Sequence, residues 1–458
     1  MMMKRRTFLA HSCGLATVTA ASSILQLGLA RSVAAQGAGD YRALVCILLA
    51  GGNDSFNMLV PDDSDQYGQY QSIRSDLALP RDALLPLAGT ADSGRRFALH
   101  PGMTGLQQLF AEGDAAMLCN VGTLLEPFDA QALAAGTAAA PLGLFSHSDQ
   151  IQQWQTAISD QRSAQGWGGR MADLLQGPNP SNGISMNISL SGNNIFQSGS
   201  TVAEYSVTPQ GDGAIGLNGY NDGSNVGELR RQFIDSLLGA RPGHLLRGEY
   251  RDRLAGSIEA QQYFVQAMQS AAPLATVFAE DPLSTSLRQI ARIISVREQI
   301  GAPRQVFFVT VGGWDHHDEL LNNQAAMLPA VSNALLSFRN ALRELGVARQ
   351  VTTFTTSDFG RTLTSNGRGS DHGWGGHHIV MGGAVNGGRF YGTYPEIYPG
   401  SPLDVGRGIY APTTAVEEYF AELALWFGVP ASDLDTVLPN VARFYDPASA
   451  DLPLGLLA

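Results

Sequence analysis

Ala43-Leu44-Val45-Cys46-Ile47-Leu48-Leu49-Ala50 is an unbroken apolar run that stops at Gly51-Gly52-Asn53-Asp54. A run this short, apolar on both sides of its alternation and closed by glycines, predicts a strand buried on both faces. Shorter runs with the same character occur at Ala115–Cys119, Val306–Val311, Val351–Thr355 and Ile379–Met381. Between them, helical spacing of apolar residues predicts helices over His100–Glu112, Ser146–Ile158, Trp167–Leu175, most of 227–300, 322–345 and Thr413–Phe427. Pro329 either kinks the helix of 322–345 or marks its start. Strands alternating with helices predict an α/β fold: a largely parallel, doubly wound sheet with helices on both faces. Residues 61–98 are polar and turn-rich and read as a surface wrap. The Gly-, Asn- and Ser-rich stretch near 178–225 reads as a peripheral β-rich insertion in a single domain spanning 41–450.

The first 35 residues have a different grammar. Lys4-Arg5-Arg6-Thr7-Phe8-Leu9 leads into a weakly apolar stretch and ends on Ser32-Val33-Ala34-Ala35. Basic start, apolar middle and small-residue end predict a signal peptide at 1–35, and the paired arginines predict the twin-arginine route. The expected location is periplasmic or secreted, with the twin-arginine translocase as a partner during export. His11, Ser12, Thr17 and Thr19 make this stretch too polar for a good bilayer span, so no membrane span is expected after cleavage. The chain has 41 acidic against 29 basic side chains, and four of the basic ones lie in the signal. Such an excess argues against nucleic acid and anionic membrane surfaces as partners and suits a divalent cation. Cys46 and Cys119 sit in apolar runs, so they read as small buried hydrophobes, and their spacing does not support a disulfide.

Polar residues cluster where the predicted strands end. Asp54 follows the first, Asp315-His316-His317 follows Val306–Val311, and Asp358 follows Val351–Thr355. Asp371-His372 and His377-His378 lie a little further on. In a parallel sheet the carboxyl ends of the strands share one edge, so these loops converge there. Five of the nine histidines fall in two short loops that also hold Asp315 and Asp371. Imidazoles mixed with carboxylates suit Zn, Mn or Fe better than Mg or Ca. The plainer reading of any one Asp is a helix cap.

The segments LLAGGNDSFNMLVP, FSHSDQIQQW, GWGGRMAD, VGGWDHHDEL and TTSDFGRTLTSNGRGSDHGWGGHHIVMGGAVNGGRFYG resemble exported bacterial proteins of the family called domain of unknown function 1501. That family resembles the alkaline phosphatase and sulfatase superfamily. The resemblance implies an alkaline phosphatase-like fold, one or two metal ions at the sheet edge, and hydrolysis of a phosphate or sulfate ester on a small molecule or a polymer. It further implies that Asp54 ligates one metal, that Asp315 and His317 ligate the other, and that Asp358 and His372 are ligands. Phe359 stands where the superfamily commonly has a second histidine, leaving one site a ligand short. Superfamily nucleophiles open helices, which points to Ser146, equally a common N-cap; Ser55 and Ser148 are reserves. Cys119-Asn120-Val121-Gly122-Thr123 lacks the Pro and Arg of a formylglycine sulfatase. Arg361 either forks onto an anionic substrate or pairs with a carboxylate. His147 and His377 are acid–base candidates, whereas His100 reads as the start of a helix. The alternative to a hydrolase is a non-catalytic, metal-stabilised binding or assembly protein on the same fold.

Overall fold

The structure is a computed structural model that describes residues 41–458 except 90, 92–93, 129–130, 133–134, 176–182, 221–222, 240–242 and 399. Residues 1–35, expected to be a signal peptide, lie outside the described residues. In chain order the strands are β1 (Arg42–Leu49), β2 (Leu59–Pro61), β3 (Leu85–Pro86), β4 (Phe97–Leu99), β5 (Ala115–Gly122), β6 (Asn187–Ser189) and β7 (Tyr205–Ser206). They continue with β8 (Arg304–Val311), β9 (Val351–Ser357), β10 (Arg361–Ser365), β11 (Ser370–His372), β12 (Gly376–Gly382), β13 (Phe390–Gly392) and β14 (Thr414–Ala415). Nine of them form one sheet, ordered β13-β5-β12-β9-β1-β8-β6-β7 with β14 beside β5. β12 runs antiparallel to both of its neighbours, and the other pairings are parallel.

The expected α/β class is what the chain adopts, and β1 shows why. Its side chains alternate between two cores. Ala43, Val45, Ile47 and Leu49 pack with Leu106, Leu287, Ile290, Leu335 and Phe338 from helices Thr104–Ala111, Pro282–Ser295 and Leu320–Glu344. Leu44, Cys46 and Leu48 pack on the opposite face with Trp154, Trp167 and Phe420 from helices His147–Thr156, Trp167–Leu175 and Val416–Phe427. A strand with apolar neighbours on both sides has no polar face to present, which is why its sequence does not alternate. Cys46 and Cys119 belong to different cores and are both free thiols. Burial pushes each up to about 12, so both stay protonated.

Register places the site. Leu49 at the end of β1 lies opposite Val311 of β8 and Ser357 of β9. Three strands therefore stop at one level, and their following loops start side by side.

Some expectations change. Pro329 lies inside one continuous helix, and its ring fits because Gly102 has no side chain: a Cβ there would be 2.4 Å from the proline Cγ. The segment 61–98 keeps many exposed residues but is more ordered than a turn-rich wrap. It forms the small sheet β2-β4-β3 and a helix, Ser64–Arg74, that buries Tyr67, Tyr70 and Arg74. Polar composition misled because these polar groups are satisfied internally, as where the Tyr70 hydroxyl donates to Asn57 Oδ1 at 2.9 Å. In the stretch expected to be a peripheral β-rich insertion, β6 and β7 lie at the edge of the main sheet. Among the described residues no helix is long and apolar enough to cross a membrane.

The core makes stability acid-sensitive. Burial takes His377 and His378 down to about 3 and His100 to about 4, from an ordinary 6.5. Between those folded values and 6.5 the unfolded chain binds more protons, so lowering the pH favours unfolding. The thermal midpoint is expected to fall from about pH 7 to about pH 5; a flat profile by circular dichroism would contradict neutral, buried imidazoles.

Candidate metal centre

Three loops interleave at the carboxyl edge of the sheet because glycines let them touch. Gly51 and Gly52 adopt φ of 122° and 84°, which glycine tolerates without strain. The Gly51 N–H donates to Asp358 Oδ1 at 3.0 Å, and the Trp314 N–H donates to the Ala50 carbonyl at 3.1 Å. These two bonds bring the loops after β1, β8 and β9 together.

His147, Asp315 and His372 each offer a ligating atom within 4.8 Å of the others. His147 opens the helix His147–Thr156. Its Nδ1 lies 2.7 Å from Asp358 Oδ2, and its Nε2 lies 3.5 Å from Asp315 Oδ2. His372 donates from Nδ1 to the Phe145 carbonyl at 2.8 Å and turns Nε2 to within 3.4 Å of Asp315 Oδ1. An acceptor at one ring nitrogen holds the proton there and leaves the other lone pair available, the usual outer support of metal-binding histidines. The Phe359 ring packs against both imidazoles, 4.9 Å from His147 and 4.6 Å from His372, and so fixes their planes. His317 stands at the rim, with Nε2 2.9 Å from His372 Nε2 and 3.1 Å from Asp315 Oδ1, and Nδ1 facing Asp371 at 3.2 Å. Asp315 is 44% exposed and His147 34%, so the group opens to solvent.

The charges are set by their neighbours. Burial works to raise Asp315, but the hydrogen bond and charge of Arg361 outweigh it and hold the carboxyl below its ordinary value. Burial raises Asp358 above its ordinary value, against the bonds from Gly51 and His147. Burial lowers His372, which therefore favours the neutral form a metal requires.

Asp315, His317, Asp358 and His372 thus come together with His147, which the sequence reading named only as an acid–base group. Asp54 stays apart. Its Oδ2 accepts from the wholly buried Arg74 guanidinium and from Ser370 Oγ at 2.6 Å, and its backbone carbonyl accepts from Gln324. Arg361 takes the second of its two expected roles. It is buried, with Nη1 2.8 Å from Asp315 Oδ1 and 3.0 Å from the Gly51 carbonyl, while its Nε donates to Ser370. Ser146 occupies the N-cap position without capping, and its hydroxyl lies 3.2 Å from Ser148 Oγ. His377 is buried away from the group, stacked on Tyr394 at 4.4 Å. The sequence held no signal for Arg74 or for the Phe145 carbonyl. Asp371, quoted beside His372, was readable.

A doubly wound α/β protein with imidazole and carboxylate donors at the carboxyl edge of its sheet is the class these features define. Residues 41–429 match the family described as "Protein of unknown function (DUF1501)", and the chain belongs to that family. No curated protein matches the sequence. Similar solved structures include the PsFucS1 sulfatase from Pseudoalteromonas sp., at 8% identity and TM-score 0.33 over 88% of this chain and 71% of that one. Another is the zinc complex of the C-terminal periplasmic domain of EcEptC from Escherichia coli, at 10% identity and TM-score 0.31 over 91% and 93%. A third is Ps i-CgsB, at 9% identity and TM-score 0.33 over 90% and 78%.

Removing Arg74 isolates a buried carboxylate. Arg74→Met is expected to cost about 3–5 kcal/mol in denaturant unfolding, and adding Asp54→Asn should recover much of it. Additive losses from the two substitutions would mean that the pair is not coupled.

Proposed function

We propose that this protein is an exported metal-dependent hydrolase of phosphate or sulfate esters, with His147, Asp315 and His372 as its metal ligands. The observation that carries this reading is the outer support of both imidazoles: Asp358 on His147 and the Phe145 carbonyl on His372 leave both Nε2 atoms aimed at one carboxylate. Side chains that served only as surface loops would not need two such supports. Three protein donors, open to solvent, match sites that keep a position for water or substrate, and two imidazoles with one carboxylate suit Zn or Fe. An ion there supplies Lewis acidity and a water of lowered pKa.

The chain's own residues divide the remaining work. Asp358 keeps the His147 proton on Nδ1. Arg361 keeps Asp315 ionised and in place. His317, backed by Asp371, is positioned to exchange a proton with a leaving group at the rim. Ser146, next to His147, is the candidate nucleophile. The reading favours one ion, because Phe359 offers no donor and Asp54 Oδ2 is engaged by Arg74 and Ser370. Export folded, by the twin-arginine route that residues 1–35 suggest, would let the ion be loaded before crossing. The commitment of Asp54 equally suits the second reading, a metal-stabilised binding protein without turnover.

Protein recovered from its native export route is expected to carry about one transition-metal ion per chain and to turn over at least one of a phosphomonoester, a phosphodiester and a sulfate ester. His372→Ala should abolish both properties. Metal without turnover would favour the binding protein, and a metal-free parent would sink the centre itself. Asp358→Asn, which touches no ion, is expected to weaken metal affinity about 10–100-fold by competition against a chelator. Unchanged affinity would show that Asp358 does not support His147.

A further inference from the structure

We infer that Phe145 is a positioning residue for the His372 imidazole, acting through a backbone conformation that its own side chain holds in place. The inference rests on the reading of His372 as a metal ligand and adds how that ligand is aimed. Six non-glycine residues among those described have positive φ, and Phe145, at 73°, is the one aromatic residue among them. A bulky side chain rarely adopts this conformation, which persists only where the surroundings over-determine it. Such outliers gather at functional sites, and this one stands two residues before His147.

Two contacts hold the conformation. The turn ahead of the helix His147–Thr156 closes where the Ser146 N–H donates to the Gly143 carbonyl at 2.9 Å. The half-buried Phe145 side chain packs on the small cluster of Leu124, Trp374, Ala411 and Ala415. That cluster is tied to the chain around both imidazoles. Trp374 lies two residues beyond His372 and donates from Nε1 to the Thr123 carbonyl at 2.8 Å. Thr123 Oγ1 lies 2.7 Å from Oε1 of Gln150, three residues past His147. With its side chain seated there, Phe145 presents its carbonyl to His372 and accepts the Nδ1 proton at 2.8 Å. The side chain thus decides where a backbone acceptor stands, and the acceptor decides which nitrogen of His372 is bare. Alanine at this position keeps the carbonyl but loses the seat, so the backbone is free to relax to negative φ.

The test reads the His372 tautomer by NMR in metal-free protein with isotope-labelled histidine, assigned by the signals that His372→Ala lacks. Wild-type His372 is expected in the Nδ1–H form, and a proton on Nε2 overturns the inference without any variant. Phe145→Ala is expected to mix the two tautomers and to weaken zinc affinity about 10–100-fold in competition against a chelator. Phe145→Leu, which refills the seat, should recover most of both. Phe128→Ala removes packing from the same cluster; it should lower the thermal midpoint and leave both readouts at wild-type values. An unshifted tautomer in Phe145→Ala, or an equal shift in Phe128→Ala, overturns the inference. A parent that binds no zinc removes the metal centre, while the tautomer still decides the role of Phe145.

Discussion

The carboxyl edge of the sheet exists in this form because several backbone segments pass closer than any side chain would allow. A Cβ on Gly51 would lie 2.5 Å from the Asp315 nitrogen, one on Gly52 2.6 Å from the Phe359 ring, and one on Gly360 2.0 Å from the Gly375 carbonyl. Gly369 is pressed as tightly on the His316 carbonyl, at 2.3 Å. Contacts this short have to be relieved by moving backbone. Asp315 and Asp358 lie at or next to two of these crossings, and His372 precedes Gly373, where a Cβ would lie 2.7 Å from the Arg361 backbone carbon.

Within that frame the carboxylates have separate tasks. Asp54 is wholly buried and paired through Oδ2 with Arg74, while its Oδ1 has no hydrogen-bond partner. Asp358 is buried beneath His147, with Oδ2 2.7 Å from its Nδ1. Asp315 presents its carboxylate to the solvent side and is held ionised by Arg361. Arg74 and Arg361 also limit the local excess of negative charge of three acids at one edge. The group of potential ligands at this edge is therefore two imidazoles and one exposed carboxylate.

Much of the scaffold was legible in the order of residues. Ala43–Ala50 could be assigned because a strand covered on both faces needs apolar residues at every position, a requirement local to the strand. The placement of Asp315 and Asp358 at one edge was legible for a related reason, that parallel strands finish on the same side; His372 arrives there from the separate antiparallel hairpin β10-β11. The segment 61–98 was misread because burial of polar groups depends on partners that composition does not display. Arg74 meets Asp54, twenty residues earlier, and the carbonyls of Thr362 and Leu363, nearly three hundred residues later.

Residue order alone determined which parts of the chain become strands and helices, and which loops bring imidazoles and carboxylates to the sheet edge, since those follow from periodicity and strand direction. Which donors face one another was decided by the tertiary structure. Asp54 and Asp315 look alike in sequence, each an acid in the loop after a buried strand. Only the packed fold sets a guanidinium under one and two imidazoles around the other, because hydrogen-bond partners are chosen by distance in space and not by separation along the chain.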